Sequence, residues 1–574
     1  MAAPEQAART GAPFEFLGDP PHAARDGVDV TAEGVAPDQA LDAYLRSGED
    51  AFLELKGPFA LAIWDGRTER LTLARDPVGA MPLFFAETDG RLLLSTSLDA
   101  LAGDPRVSSD LNRAALADHL CNRWPDPSET YYAAIRRVPP GHALRDRQLW
   151  RYWNPAPPDR PVRWVETDEL ERFDALMEQA VARPLNGGAA GIFLSGGLDS
   201  VSVAAVAADY SHREGLPEPL ALSVAFPDVE ANEEEVQAGV ARQLGLRQIM
   251  IDFERALGGS GLLESALELS ATRPYPLANV WWPVYHPLAS EGVGEGCTVI
   301  LTGGGGDEWL SVSPFLAADL LRRRDIRGLF HLWTTMHRSY RLSRLATLRS
   351  VLWTFGARPV VAAAADRYAS WPMAAYRRHL KRKLTPDWVA PDLELRRELL
   401  ERAYATASHA APQGFYFREG QLSLDHALVS MEMEELHEHG KRVGAPIRMP
   451  FWDPDLVDFL YRTPPDILTE GGRAKGLVRR MLATRFPELG FERHKKVLAT
   501  NFFARVVLEQ GPGLWRTMKG PFALESAGVV DGARLNSLVK KVFEGEGLRD
   551  VSRVWNLMSL EAWVRSRIGG GEVK

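Results

Sequence analysis

The most constraining stretch of this chain is Ala190-Gly191-Ile192-Phe193-Leu194, a continuous apolar run. It passes straight into Ser195-Gly196-Gly197-Leu198-Asp199-Ser200 and then into the helix-compatible Val201-Ser202-Val203-Ala204-Ala205-Val206. A strand buried on both faces reads as an unbroken apolar run, which points to a parallel sheet covered by helices. The glycine turn then lies at the carboxyl end of the strand, where such sheets bind ligands. The alternation continues. Leu220 to Phe226 reads as a second strand with Val224 near its carboxyl end. The next helix carries Val236, Val240 and Leu244 at i, i+4 and i+8, and Gly245 is placed to cap it. Gln248 to Ile251 and Cys297 to Leu301 read as third and fourth strands. The pattern predicts an α/β fold with a doubly wound parallel sheet.

The remainder of the 574 residues exceeds what one core needs, so at least two domains are expected. Residues 1–155 look β-rich: Phe59 to Trp64 and Leu71 to Ala74 are short runs bounded by Asp-Gly and Asp-Pro turn signals. Asn154-Pro155-Ala156-Pro157-Pro158-Asp159-Arg160-Pro161 reads as a linker to a second domain over 165–574. Beyond about 311 the chain turns helical and arginine-rich, without clear strands. The net charge of −9 argues against a nucleic-acid partner, which needs a strong positive field. No apolar run approaches a membrane span, and the N-terminus lacks the features of a signal peptide. The two cysteines, Cys121 and Cys297, form no disulfide framework or zinc spacing. A cytoplasmic protein is expected.

The chemistry is concentrated in two glycine loops. In Ser195 to Ser200, the glycines let the backbone approach an anion, the helix start adds partial positive charge, and Ser195 and Ser200 offer hydroxyls. Asp199 offers a carboxylate to Mg²⁺, which is commonly held by one or two carboxylates plus substrate phosphates. No lysine closes the loop as in a γ-phosphate-transferring P-loop, so release of pyrophosphate is the better match. A second loop, Thr302-Gly303-Gly304-Gly305-Gly306-Asp307-Glu308, ends the fourth strand. Two such loops at strand ends of one sheet make Asp199 and Asp307 the natural metal pair of a Mg²⁺–ATP site. Leu194, Ser195, Gly196, Gly197, Asp199, Ser200, Val224, Thr302, Gly303 and Gly304 are the expected ATP and pyrophosphate contacts.

These residues resemble the asparagine synthetase family within the N-type ATP pyrophosphatases. The Ser195–Ser200 loop is similar to that family's pyrophosphate loop, and Thr302–Glu308 to its second loop. Arg448-Met449-Pro450-Phe451-Trp452-Asp453, Lys475 with Arg479, and Arg493-His494-Lys495 resemble three further family motifs. Upstream, Gly57 to Asp65, Ala74-Arg75-Asp76-Pro77-Val78-Gly79, Pro82-Leu83-Phe84 and Arg151-Tyr152-Trp153 resemble the class II glutaminase domain. The resemblance implies a β-sandwich glutaminase-like domain followed by an ATP pyrophosphatase domain with helical additions. It also implies an AMP-forming, amide-forming ligase. Lys495 then becomes the catalytic cation beside Asp199 and Asp307, with Lys496 an adjacent alternative, and Lys475 joins the expected ATP and pyrophosphate contacts.

Two departures refine that expectation. The family's glutaminase uses a cysteine directly after the initiator methionine, and here the residue is Ala2. Without a thiolate the domain is expected to be degenerate and the nitrogen to come from the substrate's own amine. Gly304 stands where asparagine synthetases place Glu and β-lactam synthetases Tyr. Loss of that side chain is expected to open room for a bulky acceptor, so the chain looks like a lasso peptide cyclase. Such an enzyme adenylates an Asp or Glu side chain of a leader-processed precursor peptide, and the peptide's N-terminal amine closes a macrolactam. A leader peptidase and a leader-recognition protein are then the expected partners. A β-lactam-synthetase-like small-ring ligase, an asparagine synthetase homologue using free ammonia, and an RNA-modifying adenylating enzyme remain as alternatives.

Three other constellations have blander readings. Glu432, Glu434, Glu435, His437, Glu438 and His439 read mostly as a solvated helix, with one carboxylate placed to serve as base for the acceptor amine. Trp281, Trp282 and Tyr285 read as core packing before peptide channel. The arginines between 322 and 349, and Arg377, Arg378, Lys381, Arg382 and Lys383, read as solvated helix faces.

Overall fold

The computed structural model describes residues 13–123, 126–155, 157, 162–228, 232–340, 342–368, 385–405, 413–494, 499–518, 522–546 and 550–568. The N-terminal region contains two sheets. The six-stranded one runs in the order Gln148–Arg151, His142–Arg145, Arg70–Arg75, Ala60–Asp65, Val28–Glu33, His22–Arg25, all neighbours antiparallel. The four-stranded one runs Phe14–Phe16, Arg91–Ser95, Phe84–Thr88, Ile135–Arg137. Period-2 alternation along Ala60–Asp65 sorts the core. Ala60 and Ala62 meet Phe16 and Leu94 of the other sheet, whereas Leu61 and Ile63 meet Ala40 and Leu41 of the helix Pro37–Ser47. A one-residue slip would put the large side chains between the sheets, which fixes the register.

The C-terminal sheet has five parallel strands, ordered Gln248–Asp252, Leu220–Ala225, Ala190–Phe193, Val299–Leu301, Ile447–Arg448. Its apolar runs hide a two-face sorting. Ala190, Ile192, Ala221, Val299 and Leu301 enter one core, while Phe193, Leu222, Val224 and Ile300 enter the other. The chain leaves Ala190–Phe193 toward one edge and later returns on its other side. The order therefore reverses beside this strand, and the crevice at its carboxyl end is flanked by the loops 195–200 and 302–306. Helix Glu234–Gln243 is followed by Gly245 at φ +71°, the left-handed position that ends it. The fifth strand corrects the expectation of no strand beyond 311. Two residues are too short to leave a periodic signal.

The two regions share core. The outer face of the four-stranded sheet, through Phe84 and Leu93, joins the same apolar cluster as Phe193, Leu222 and Trp563. Cys121 and Cys297 are free and buried. Among the described residues, no helix is long and apolar enough to cross a membrane. Most of the Asn154–Pro161 stretch and the basic group at 377–383 lie outside the described residues.

Candidate active site

Gly196 at φ +81° turns the chain out of the strand, and helix Leu198–Glu214 starts within three residues, so Asp199 sits in its first turn. The loop is held by its own serines. Ser195 Oγ and Ser200 Oγ lie 2.9 Å apart, the Ser195 N–H donates to Ser200 Oγ at 3.2 Å, and Ser200 Oγ donates to the Gly197 carbonyl at 3.1 Å. Leu194 is buried beneath the loop. Val224 is also buried and faces a small secondary cavity behind Ser195 rather than the main one.

The second loop packs directly on the first. A Cβ at Gly303 would lie 2.5 Å from the Ser200 nitrogen and 2.8 Å from the Asp199 carbonyl carbon, and one at Gly306 would overlap the Asp199 side chain. Glycine is therefore the condition for the two aspartates to converge. The space beside Gly304 differs from the sequence expectation. A Cβ there would overlap Met449 Sδ, so the volume freed by the missing side chain is filled by a thioether. Methionine, unbranched and adaptable, fills such gaps.

Lys475 completes the junction. It occupies the left-handed region at φ +65°, just before helix Gly476–Arg485, and its Nζ lies 2.5 Å from Asp199 Oδ2 and 2.8 Å from Asp307 Oδ1. Burial lowers the lysine pKa, but the two carboxylates outweigh it and hold the group above its ordinary value. A cavity of about 250 Å³ opens beside it, shared by Ser195, Gly197, Asp199, Asp307, Arg479 and His494. Arg479 spends its guanidinium on carbonyls, donating to Phe491 at 2.6 Å, His494 at 3.1 Å and Ala474 at 3.2 Å. It thus shapes the segment that leads to Lys495. Lys495 and Lys496 themselves lie outside the described residues, as does Ala2. Sequence reasoning missed Glu233, which is pushed up to about 7 by burial, with His494 Nε2 3.6 Å away. Its run of acidic neighbours carries no signal that would single it out.

On the other side of the aspartates lies a cavity of about 820 Å³. Trp281, Trp282, Tyr285, Phe503 and Trp555 form aromatic walls, so the first three both pack the core and line the cavity. Glu308, Glu432 and Glu435 supply an acidic patch. Burial, then Asp307 and Asp199, raises Glu308. Burial among the walls, then Glu308 and Glu435, pushes Glu432 up to about 7, although its side chain stays open to the cavity. Glu435, also raised to about 7 by burial, accepts from the Ala278 and Asn279 N–H groups at 2.9 and 3.3 Å.

The solvated reading of helix Ala427–Val443 is corrected. Glu434, Glu435 and His439 are buried because arginines, backbone donors and a ring await them. Arg75 and Arg137 pair with Glu434, and His439 stacks on Trp282 with ring centroids 3.5 Å apart. Burial pushes the Cys121 thiol up to about 11 and raises Cys297, so neither is an activated nucleophile.

Two converging aspartate loops bridged by a lysine, at the switch point of a parallel sheet, set the frame for comparison with known proteins. The asparagine synthase family description matches residues 172–565, more than half of the chain. The chain belongs to the asparagine synthase family. A glutamine amidotransferase domain description matches residues 38–153. Asparagine synthetase [glutamine-hydrolyzing] 3 of Bacillus subtilis is 29% identical over 205 residues, 34% of this chain and 32% of that one. A putative asparagine synthetase [glutamine-hydrolyzing] of Mycobacterium tuberculosis is 28% identical over 222 residues, 36% and 33% of the two chains. Amidase chyE of Penicillium rubens is 27% identical over 318 residues, 51% and 44%. This family member thus spans less than half the length of each of these relatives.

Proposed function

We propose that the protein is an ATP-dependent, amide-forming ligase that adenylates a carboxylate. More finely, we read it as a macrolactam synthetase acting on a peptide. The observation that carries the reading is the convergence of Asp199, Asp307 and Lys475 at the junction of a small polar cavity and a large aromatic one. The substrate carboxylate attacks the α-phosphorus of ATP and pyrophosphate leaves on the Lys475 side. The amine then attacks the acyl carbonyl from the large cavity, AMP departs, and the amine's proton passes to a carboxylate, for which Glu432 is placed. Asp199 and Asp307 are hard oxygen donors already drawn around one cation, Lys475 Nζ, and this fits a Mg²⁺ held chiefly by phosphates. When bound, Mg²⁺ would neutralise charge on the leaving pyrophosphate. The peptide reading is supported by the 820 Å³ volume and its aromatic lining, and a precursor-processing peptidase and a leader-binding protein would be its natural partners.

A second reading is favoured by Met449. Because its thioether fills the space beside Gly304, a small acceptor such as ammonia suits that wall as well. The separating experiment offers the enzyme, with Mg²⁺ and ATP, either a linear peptide with a free N-terminus and an internal Asp or Glu, or aspartate with ammonium. Loss of one water from the peptide mass supports the first reading. Asparagine without peptide turnover supports the second.

A further inference from the structure

Helix Ala427–Val443 has two faces with different duties. Val429, Glu432, Met433 and Leu436, at i, i+3, i+4 and i+7, line the large cavity. Glu434 lies about 200° around the axis from Glu432, on the back of the helix. There it is fully buried and gripped by two buried arginines of the N-terminal region. Arg75 NH1 donates to Glu434 Oε1 at 3.1 Å, Arg137 NH2 to Oε2 at 3.0 Å, and Arg137 Nε lies 2.9 Å from Oε1. Both arginines are anchored in turn. Arg75 donates to the carbonyls of Gly79, Met81 and Val138 at 2.7, 2.9 and 3.2 Å, and Arg137 NH1 to that of Glu129 at 2.6 Å. The neighbouring Asp76 carboxylate accepts from the Phe59, Val78, Ala80 and Met81 N–H groups, which holds the turn that carries Arg75. Met431, on the same back face, receives Tyr131 Oη at 3.7 Å from its Sδ.

We propose that Arg75 and Arg137 are positioning residues of the ligase site: by clamping Glu434 they fix the rotation of this helix and so the placement of Glu432 in the cavity. The N-terminal region, whose one cysteine, Cys121, is buried and inert in the sense given above, is then the back plate of the acyl-transfer wall. A bidentate carboxylate gripped by two planar guanidinium groups is directional, whereas apolar packing around a helix tolerates rotation. The inference rests on the ligase reading for its consequence in catalysis, but not for the clamp itself.

The test uses the full chain with Arg75→Lys, Arg137→Lys and Glu434→Gln, and reads two steps separately. Pyrophosphate release with Mg²⁺ and ATP reports adenylation, and mass loss of one water from a linear peptide with a free N-terminus and an internal Asp or Glu reports amide formation. Displacing Glu432 by about 1 Å is expected to slow amide formation roughly 100-fold while adenylation stays within a few-fold. The pH dependence of amide formation should shift as Glu432 changes surroundings. Equal loss in both steps, or no loss, overturns the proposal. A single variant that fails to fold is replaced by the combination of Arg75→Met, Arg137→Met and Glu434→Leu, which removes both arginines together with the carboxylate they grip and leaves Asp76 on its four backbone N–H donors. Selective loss of amide formation in that protein supports the clamp, and parent-like or uniform behaviour overturns it. If the parent makes no AMP at all, the ligase reading fails, and amide hydrogen exchange then decides the clamp. Faster exchange confined to 427–443 in Glu434→Gln supports it, and an unchanged helix refutes it.

Discussion

Replacing Gly303 by alanine tests the geometry at its tightest point. The added Cβ would stand 2.5 Å from the Ser200 nitrogen, and ordinary contact begins at 3.4 Å, so the loops must part by about 0.9 Å. Both obstructing atoms, the Ser200 nitrogen and the Asp199 carbonyl carbon, are backbone, so no side-chain rotation relieves the clash. Overpacking of this kind costs about 1–3 kcal/mol of stability, which leaves a folded protein. The effect on rate is separate. Parting the loops pulls Asp199 away from Asp307 and Lys475, and a displacement near 1 Å at a reacting centre costs on the order of 100-fold. Gly304→Ala is the control, since it meets the flexible end of Met449 and should change adenylation no more than a few-fold. The assay is pyrophosphate release with Mg²⁺ and ATP on purified, circular-dichroism-checked proteins. A Gly303→Ala variant that adenylates as fast as the parent would show that loop contact does not set the aspartate pair.

Four further outcomes are expected. Asp199→Ala and Asp307→Ala should each abolish adenylation, because lost charge neutralisation worth several kcal/mol is on the order of 10³-fold in rate; retained turnover in a folded variant would remove both from the site. Amide formation should rise with pH through an apparent value near 7, since Glu432 must lose its proton to act as base, and that inflection should vanish in Glu432→Gln. The same raised carboxylate binds its proton more tightly when folded, so its contribution to stability is present below the ordinary 4.5 and is lost as pH rises toward 7; thermal melts of parent and Glu432→Gln across that window check the sign. Cys121→Ala should leave the rate of glutamate release from glutamine at the buffer blank, as in the parent, because a buried thiol raised to about 11 supplies no thiolate.

Four strands of the parallel sheet were legible because they are largely apolar runs, two of them ended by glycine loops, a local signal. The junction of Asp199, Asp307 and Lys475 was legible in its members but not in its contact, since Lys475 lies 276 residues from Asp199 and reaches it only through the sheet's topology. Two features were hidden for physical reasons. The acidic helix looked solvated because burial of Glu434 depends on arginines more than 290 residues earlier. The room beside Gly304 looked open because nothing in a glycine predicts that Met449, from the short fifth strand's exit, fills it.

In the proposed function, one site first adenylates a carboxylate and then passes the acyl group to an amine. Its most direct measurement is the product stoichiometry of a single turnover on a linear peptide with a free N-terminus and an internal Asp or Glu, with nucleotides resolved chromatographically and the peptide by mass. One AMP and one pyrophosphate are expected for each peptide that loses one water, with all three dependent on Asp199. ADP as the stoichiometric product, or AMP formed with no amide to any amine, would contradict it.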